Sequence, residues 1–315
     1  MRSLITFLLY VAFCVSVVAQ TQEGAERLFH KAYYFMSVDN EKANELFTSC
    51  IAMDSTFTDA YFHRGINRFK SGAYQKALED FDRAFSLDPS LHIIWMYKGF
   101  TLRNMGNLEG ALTNFSQYIT NNPTDTTAYS YILRGKMKYE LGDFDGAVED
   151  YDMAVKLKPI EEKYHYYRFI ALYEAKQYKK ALASASKLIE TTPDFYGYYF
   201  YKGNVYHDLG HYDSAIYMYN IAIIKNYQNA DSYFYRALSY QESKKYEKAI
   251  EDFNTAIVLN EEDGFYFSER GNCKYAMGNK SGACEDWDIA GNLGYYEDFD
   301  KVKRLCSVSD VIENK

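Results

Sequence analysis

The chain repeats itself every 34 residues, and this period restricts its fold more than any other feature of the sequence. Three stretches align position for position: GAYQKALEDFDRAFSLDP at 72–89, GDFDGAVEDYDMAVKLKP at 142–159 and KQYKKALASASKLIETTP at 176–193. A unit of this length cannot bury an apolar face alone, so neighbouring repeats must stack and cover one another. With only Thr126-Thr127 inserted, the frame runs over 24–57, 58–91, 92–125, 128–161, 162–195, 196–229, 230–263 and 264–297.

Each repeat contains two blocks of helix length. Apolar residues recur in both blocks at three- and four-residue steps, and a turn signal separates the blocks, as at Gly106-Asn107 and Gly142-Asp143. All four prolines fall at position 32, counted from the first residue of a repeat, where a proline cannot continue a helix. The pattern therefore predicts two helices per repeat and a break before the next one. The prolines are Pro89, Pro123, Pro159 and Pro193.

Small residues recur where two helices of a repeat must approach closely. We expect the glycine at position 8 to face the alanine at position 20, and a large ring at position 24 to fill the space beyond. Position 8 holds Gly65, Gly99, Gly135, Gly203, Ala237 and Gly271, and position 20 holds Ala43, Ala77, Ala111, Ala147, Ala181, Ala215, Ala249 and Ala283. Position 24 holds Phe47, Phe81, Phe115, Tyr151, Tyr219, Phe253 and Trp287, and only Ala185 departs.

In these positions the chain resembles the tetratricopeptide repeat family over nearly all of residues 20–297. The resemblance implies an all-α, right-handed superhelical solenoid of about eight helix-turn-helix repeats. Phe299, Val302 and Cys306 share one helical face, so residues 298–315 are predicted to be a capping helix with a frayed tail. The first repeat is degenerate, with Lys31 at position 8, and its frame is open to a shift of one or two residues.

The first nineteen residues resemble a secretory signal peptide. Arg2 precedes an apolar stretch from Leu4 to Val18, and Ala19 ends a small-residue cleavage site. The stretch is shorter than the roughly 20 residues of a membrane-spanning helix. We therefore expect an exported protein, periplasmic or extracellular, without stable membrane insertion after cleavage. An uncleaved anchor and a lipid attached at Cys14 are the alternatives.

Four cysteines follow the predicted signal peptide. Cys50 lies in the first repeat and is interpreted as a small buried apolar residue. In an oxidising compartment, Cys284 and Cys306 are the favoured disulfide, because this bond would tie the terminal helix to the last repeat. Cys273 is then the odd thiol.

Composition and motifs argue against nucleic acid, a metal or catalysis. The net charge is -8, and no run of Lys or Arg is long enough to follow a phosphate backbone. His207 and His211 have metal-pair spacing, but Gly210 is expected to end the helix between them. No phosphate loop, nucleophile elbow or Cys-x-x-Cys pair is present, so we expect no enzyme, no cofactor and no metal site.

Pairs of carboxylates recur at the same positions of the second helix, and acid-base chemistry would require such pairs. Their recurrence in several repeats favours a charged, solvated outer face instead. The pairs are Glu79-Asp80, Glu149-Asp150, Glu251-Asp252 and Glu285-Asp286.

The resemblance further implies that positions 2, 5, 9, 12 and 13 of the first helix line a concave groove. Carried onto this chain, positions 5, 9 and 12 predict a groove rich in aromatic and apolar side chains, which is uncommon on a surface unless a partner covers it. Packing of the same side chains between repeats is the alternative. The predicted groove residues are Phe62, Ile66, Phe69, Met96, Phe100, Arg103, Ile132, Tyr139, Tyr166, Tyr173, Phe200 and Phe234.

These features favour a non-enzymatic adaptor or scaffold of the cell envelope that binds a peptide segment or a helix of a protein partner. No repeat carries the Lys and Asn set with which some members of the family clamp a terminal carboxylate. A glycan-binding module that uses rings around Tyr139, Tyr173, Asn204 and His207 is the alternative, and self-association through the ends or the convex face is a third. The fold alone does not identify the partner or the process.

Overall fold

The computed structural model describes residues 20–123, 127–296, 302 and 304–306. The predicted signal peptide and most of the predicted cap, including Phe299, lie outside the described residues. The predicted all-α class is confirmed, since the described residues form helices joined by short turns and contain no strand. The helices are α1 20–35, α2 Asn40–Met53, α3 Thr58–Lys70, α4 Tyr74–Leu87, α5 Ile93–Asn104, α6 Leu108–Asn121, α7 Tyr129–Glu140, α8 Phe144–Leu157, α9 Glu162–Glu174, α10 Tyr178–Thr191, α11 Tyr196–Asp208, α12 Tyr212–Lys225, α13 Ala230–Glu242, α14 Tyr246–Leu259, α15 Gly264–Ala276 and α16 Lys280–Asn292.

The described residues divide into two compact units, which meet at the boundary between Pro159 and Ile160 in the sequence. In each unit an odd-numbered helix packs against the even-numbered helix that follows it, and that helix packs against the next odd-numbered one. Odd-numbered helices also touch their next-but-one neighbours, as α3 touches α5 and α11 touches α13. The side of a unit along which these helices adjoin is called here the odd-helix face. None of the described helices combines the length and the apolar character that crossing a bilayer requires.

The core corrects the predicted contact of the position 8 glycine. A Cβ added at Gly99 would lie 2.6 Å from the ring of Phe115, and one added at Gly203 would lie 2.5 Å from the ring of Tyr219. The position 24 ring therefore occupies the space that the glycine leaves, rather than the space beyond the alanine. Large rings need this room because interiors are packed without voids.

The fifth repeat shows the same contact with the sizes exchanged. Its position 8 is Phe169 and its position 24 is Ala185, and both are buried. One ring therefore still fills the gap between the two helices, although it comes from the other helix. In the first repeat Ala32 is buried in the same cluster as Phe47, whereas Lys31 is exposed, so its small residue lies one position later.

The prediction that the acidic pairs lie on a solvated outer face is wrong for the aspartate of each pair. Asp80 is 3% exposed and Asp286 is 1% exposed, whereas the glutamates that precede them lie at the surface. Arg64 and Arg68 each approach Asp80 to 2.7 Å, and Arg270 approaches Asp286 to 2.6 Å. Burial is tolerated because each carboxylate is paired and hydrogen-bonded. Asp150 and Asp252 are held in the same way by Arg134 and Arg236.

The arginines at position 7 also join neighbouring repeats. Arg236 donates to Asp252 sixteen residues ahead and to Asn220 sixteen residues behind, at 2.6 Å in both directions. Arg270 bridges Asp286 and Asn254 in the same way. A planar guanidinium with five donors suits this double contact, since one edge can hold a carboxylate while another N–H reaches the next repeat.

Cys284 and Cys306 form a disulfide with their Cα atoms 5.7 Å apart, which attaches the described end of the chain to α16. Cys50 and Cys273 are free and buried. Burial raises the pKa of the Cys50 thiol to about 11 and that of Cys273 to about 12. Both free thiols are therefore protonated and unreactive at neutral pH.

Candidate partner-binding surface

Four of the predicted groove residues lie in the core instead of on an open surface. Phe62 is 9% exposed, Ile66 7%, Ile132 3% and Phe234 2%. Phe62 packs against the rings of Phe81 and Tyr97, so a position 5 side chain fills the junction between repeats. Phe62, Ile132 and Phe234 therefore stabilise the stack and leave little surface for another molecule, whereas the part of Ile66 that remains exposed borders the depression described below.

The remaining predicted residues of the first unit are only partly available. Phe69, Met96 and Phe100 are half-buried and pack against the core clusters beneath them. Arg103 is exposed, and its guanidinium lies 3.1 Å from Glu140, which joins α5 to α7. Tyr139 is half-buried, with its ring 5.2 Å from that of Phe144. Apart from Arg103, these side chains are therefore only partly accessible to a partner.

A depression with a volume of about 350 Å³ lies on the odd-helix face of the first unit. Its lining combines apolar and aromatic side chains with the polar Ser37 and the cationic Lys70. The lining residues come from three consecutive odd-numbered helices and from the turn that follows the first of them. The tyrosine ring at its edge is 55% exposed and lies edge-on to the imidazole, 5.1 Å away. The lining residues are Tyr33, Met36, Ser37, His63, Ile66, Lys70 and Tyr97.

Burial lowers the pKa of His63, with Asp59 opposing the shift. The imidazole at the floor of the depression is therefore neutral at pH 7. Together with Met36, Ile66 and Tyr97 it offers an apolar, aromatic surface, while Lys70 supplies a single exposed charge at the edge. Such a site accepts an apolar side chain better than a charged group.

The odd-helix face of the second unit carries a different surface, called here the tyrosine face. It consists of half-buried rings from α9, α11 and α13: Tyr166, Tyr173, Phe200, Tyr201 and Tyr235. The ring centroids of Tyr166 and Tyr201 are 5.9 Å apart, and those of Phe200 and Tyr235 are 5.4 Å apart. The structure thus brings together three predicted residues, Tyr166, Tyr173 and Phe200.

Hydrogen bonds cross this face from one odd-numbered helix to the next. The Tyr173 hydroxyl donates to Asp208 at 2.6 Å, and His207 Nδ1 lies 2.9 Å from the Ser239 hydroxyl. Further along, Gln241 donates to Glu269 at 2.8 Å. The face is therefore polar at its surface although its rings pack together underneath.

Burial is the main cause of the raised pKa values of three tyrosines on this face. It raises the pKa of Tyr201 to about 12, with a contribution from the hydrogen bond to Tyr166. The pKa values of Tyr173 and Tyr235 are raised by burial too, with the nearby Asp208 adding to both shifts. The phenols of Tyr173, Tyr201 and Tyr235 therefore stay protonated at neutral pH, and the negative charge beside them resides on carboxylates.

Three carboxylates occupy position 13 in successive odd-numbered helices: Glu174, Asp208 and Glu242. All three are exposed, and none forms an ion pair with a lysine or arginine of the described chain. The sequence analysis expected position 13 to line the groove but did not name these carboxylates, and it missed the position 6 rings Tyr97, Tyr201 and Tyr235. The 34-residue frame could have found the carboxylates and the last two rings, since each set recurs at one position of successive repeats.

The described residues contain no cluster of three or more His, Cys, Asp and Glu side chains that could hold a metal. His207 faces Ser239, while His211 is exposed at the start of α12 and lies over the ring of Tyr206 at 6.4 Å. The helix boundary at Gly210 separates the two imidazoles, as their spacing around a glycine suggested.

Comparison with known families matches two parts of the sequence. Residues 67–202 match the family described as the Psidin N-terminal TPR repeats region. Residues 230–263 match the family described as the tetratricopeptide repeat.

Individual proteins agree with these matches. A TPR repeat-containing protein of Methanocaldococcus jannaschii is 27% identical over 130 residues, which are 41% of this chain and 22% of that protein. A STIP1 homolog of Dictyostelium discoideum is 29% identical over 101 residues, 32% of this chain and 18% of that protein. The C-terminal part of a TPR repeat-containing protein from Cytophaga hutchinsonii superposes with a TM-score of 0.62 at 20% identity, over 74% of this chain and 95% of that one. The chain thus spans about a fifth of the curated relatives, and the superposition shows a shared fold.

Proposed function

The chain belongs to the tetratricopeptide repeat family, and from this premise we propose that it is a non-enzymatic adaptor which binds a peptide segment or helix of a partner protein on its odd-helix face. The single observation that carries the proposal is the depression formed by Tyr33, Met36, His63, Ile66 and Tyr97. Three consecutive first helices contribute to it, so a segment lying across the repeats would meet it as one continuous site. Its aromatic edges resemble the pockets in which binding energy concentrates at protein interfaces.

The surface supports binding more than chemistry. The side chains around the depression are apolar or aromatic, and its imidazole is held neutral by burial with no carboxylate bonded to it. A general base requires a partner that orients it and a pKa near the working pH. We therefore propose that this site recognises a side chain and does not transform one.

A peptide selection tests the proposal directly. Random 12-residue peptides displayed on phage are selected on the purified chain from Gln20 onward, and the recovered peptides are measured by fluorescence anisotropy. Tyr33→Ala is expected to weaken binding of peptides that use the depression by about tenfold, as loss of an aromatic anchor does. Tyr217→Ala is the matched control, because Tyr217 is similarly exposed, at 62%, but lies on the even-numbered helix α12.

If every recovered peptide bound the wild type and Tyr33→Ala equally well, the depression would not be the peptide-binding site. Failure to recover any peptide, together with binding to an oligosaccharide array, would assign the protein to glycan recognition instead. Phe62→Ala is unsuitable as a test, because Phe62 belongs to the core and its loss would weaken the fold.

We also propose that the protein is exported, on the basis of Arg2, the apolar stretch from Leu4 to Val18 and the small residues before Gln20. A disulfide between Cys284 and Cys306 is consistent with an oxidising compartment. The intact mass of the protein recovered from its source should correspond to a chain that begins at Gln20. A mass that includes residues 1–19 would contradict cleavage, and an added lipid mass would favour attachment at Cys14.

A further inference from the structure

We infer that the tyrosine face of the second unit binds a lysine- or arginine-rich segment of a partner protein, with Glu174, Asp208 and Glu242 as its counter-charges. The inference rests on the proposed binding function and goes further, because it assigns the charge of the partner and uses a different surface from the depression of the first unit.

The three carboxylates form a series without internal compensation. Each occupies the same position of α9, α11 or α13, so the three lie along neighbouring helices of one face. Like charges in a row repel one another, and an external cation would remove this repulsion. Tyr173 donates a hydrogen bond to Asp208, but a neutral phenol satisfies an oxygen without cancelling its charge.

Two cations on α11 and α13 are directed elsewhere. Arg236 pairs with the buried Asp252 of α14, and Lys202 donates to Ser186 of the preceding repeat. Asp231, in the first turn of α13, accepts from Tyr266, and Glu269 of α15 accepts from Gln241. Both hydrogen bonds come from neutral donors, so neither cancels the negative charge of the acid.

The spacing of the series suggests the form of the segment. Helices in contact lie about 8–10 Å apart, and α11 touches α13, so we expect an interval of about this size between Asp208 and Glu242. An extended chain advances about 3.3 Å per residue. Cations at every third residue of an extended segment would therefore match one carboxylate per helix.

The rings favour a basic segment over a sugar. Tyr173 lies edge-on to Tyr178 with centroids 6.0 Å apart, and Phe200 lies edge-on to Tyr235. In each of these pairs the edge of one ring occupies a face of the other, whereas a stacked sugar requires an open face. The stem of a lysine or arginine can lie along ring edges while its charged end reaches a carboxylate.

Three labelled peptides test the inference: four repeats of Lys-Ala-Ser, the same peptide with Gln at every Lys, and the same with Glu. Binding is measured by fluorescence anisotropy at 50 mM and 500 mM NaCl. The Lys peptide should bind at least about tenfold more tightly than the Gln peptide, and the Glu peptide should bind least. The preference should shrink at high salt because exposed charges are screened.

The variant Glu174→Gln/Asp208→Asn/Glu242→Gln should lose the preference for the Lys peptide, with an unchanged circular dichroism spectrum. The control Glu251→Gln/Glu261→Gln/Glu285→Gln removes three exposed charges from elsewhere in the same unit and should bind like the wild type. An equal loss in both variants would show general attraction to an acidic protein and overturn the inference. Equal affinity for the Lys and Gln peptides would overturn it as well.

The two proposals fail in different ways. Peptides selected from the random library that bind without enrichment in Lys or Arg, and whose binding is unchanged by the triple variant, would overturn the inference and leave the adaptor function standing. Recovery of no peptide at all would overturn both. Binding of a neutral oligosaccharide that competes with the Lys peptide and survives the triple variant would assign the tyrosine face to a glycan.

Discussion

At the scale of single residues, the contact between a glycine and a ring sets how closely the two helices of a repeat approach. The space that a Cβ would take at Gly65, Gly99 or Gly135 is filled by the ring at position 24 of the same repeat. Phe169 and Ala185 show that the contact depends on the summed volume of the two residues and not on which helix provides the ring. Volume-conserving exchanges are tolerated in cores for this reason.

Gly99→Ala should therefore destabilise the protein even though alanine favours a helix. The new Cβ would lie 2.6 Å from the fully buried ring of Phe115, and overpacking of this kind costs about 1–3 kcal/mol, against about 1 kcal/mol gained in helix propensity. Thermal unfolding followed by circular dichroism measures the difference. Gly291→Ala is the control, because nothing lies within 4 Å of its added Cβ, and its melting temperature should not fall.

At the scale of the helix pair, the turn between the two helices requires one residue in the left-handed region. Position 15 fulfils this requirement in each complete turn of this type: Gly72, Gly106, Gly142, Gly210 and Gly278 have φ values between 73° and 85°. Lys176 and Lys244 hold the same position with φ values of 55° and 57°. A side chain in this region costs roughly 1–2 kcal/mol, so these two turns are strained relative to the others.

Lys244→Gly should raise the stability of the second unit by about 1 kcal/mol, because glycine adopts this conformation without a Cβ penalty. The gain is reduced by the greater freedom that glycine has in the unfolded chain. The readout is the urea midpoint of the intact chain. Ser243→Gly, one residue earlier and with a φ of -81°, should lower the midpoint instead; a gain from both substitutions would point to a cause other than the backbone.

At the scale of the whole molecule, each repeat contacts only its neighbours, so an end repeat lacks cover on one side. In the last pair Trp287 and Ala290 are nevertheless buried, and Val302 lies with Trp287 and Tyr295 around a small depression. The disulfide to Cys306 holds this segment against α16. It closes a loop of 22 residues, which corresponds to about 3 kcal/mol in the loop-entropy model.

Cys306→Ser should therefore loosen the end of the stack and leave distant repeats unchanged. Amide hydrogen exchange by mass spectrometry should show faster exchange in α15 and α16, while α3 and α4 exchange as in the wild type. Reduction of the wild-type chain should reproduce the effect. A uniform increase in exchange along the chain would contradict the local character of repeat stability.

The local sequence pattern within each repeat was sufficient to predict the helices and the breaks between them. Apolar spacing, turn glycines and the four prolines are local signals, because a helix and its ends depend on residues only a few positions away. The favoured cysteine pair could also be predicted from its place in the chain, since a bond from Cys306 to Cys284 joins the terminal segment to the last repeat.

Tertiary structure alone decided which side chains remain available. The period specifies the direction of a side chain around its own helix, but burial depends on what the neighbouring repeat places against it. For this reason Phe62 and Phe234 lie in the core, and Asp80 and Asp286 are buried in ion pairs. The side chains that another molecule can reach include Tyr33, Tyr201 and Asp208 instead.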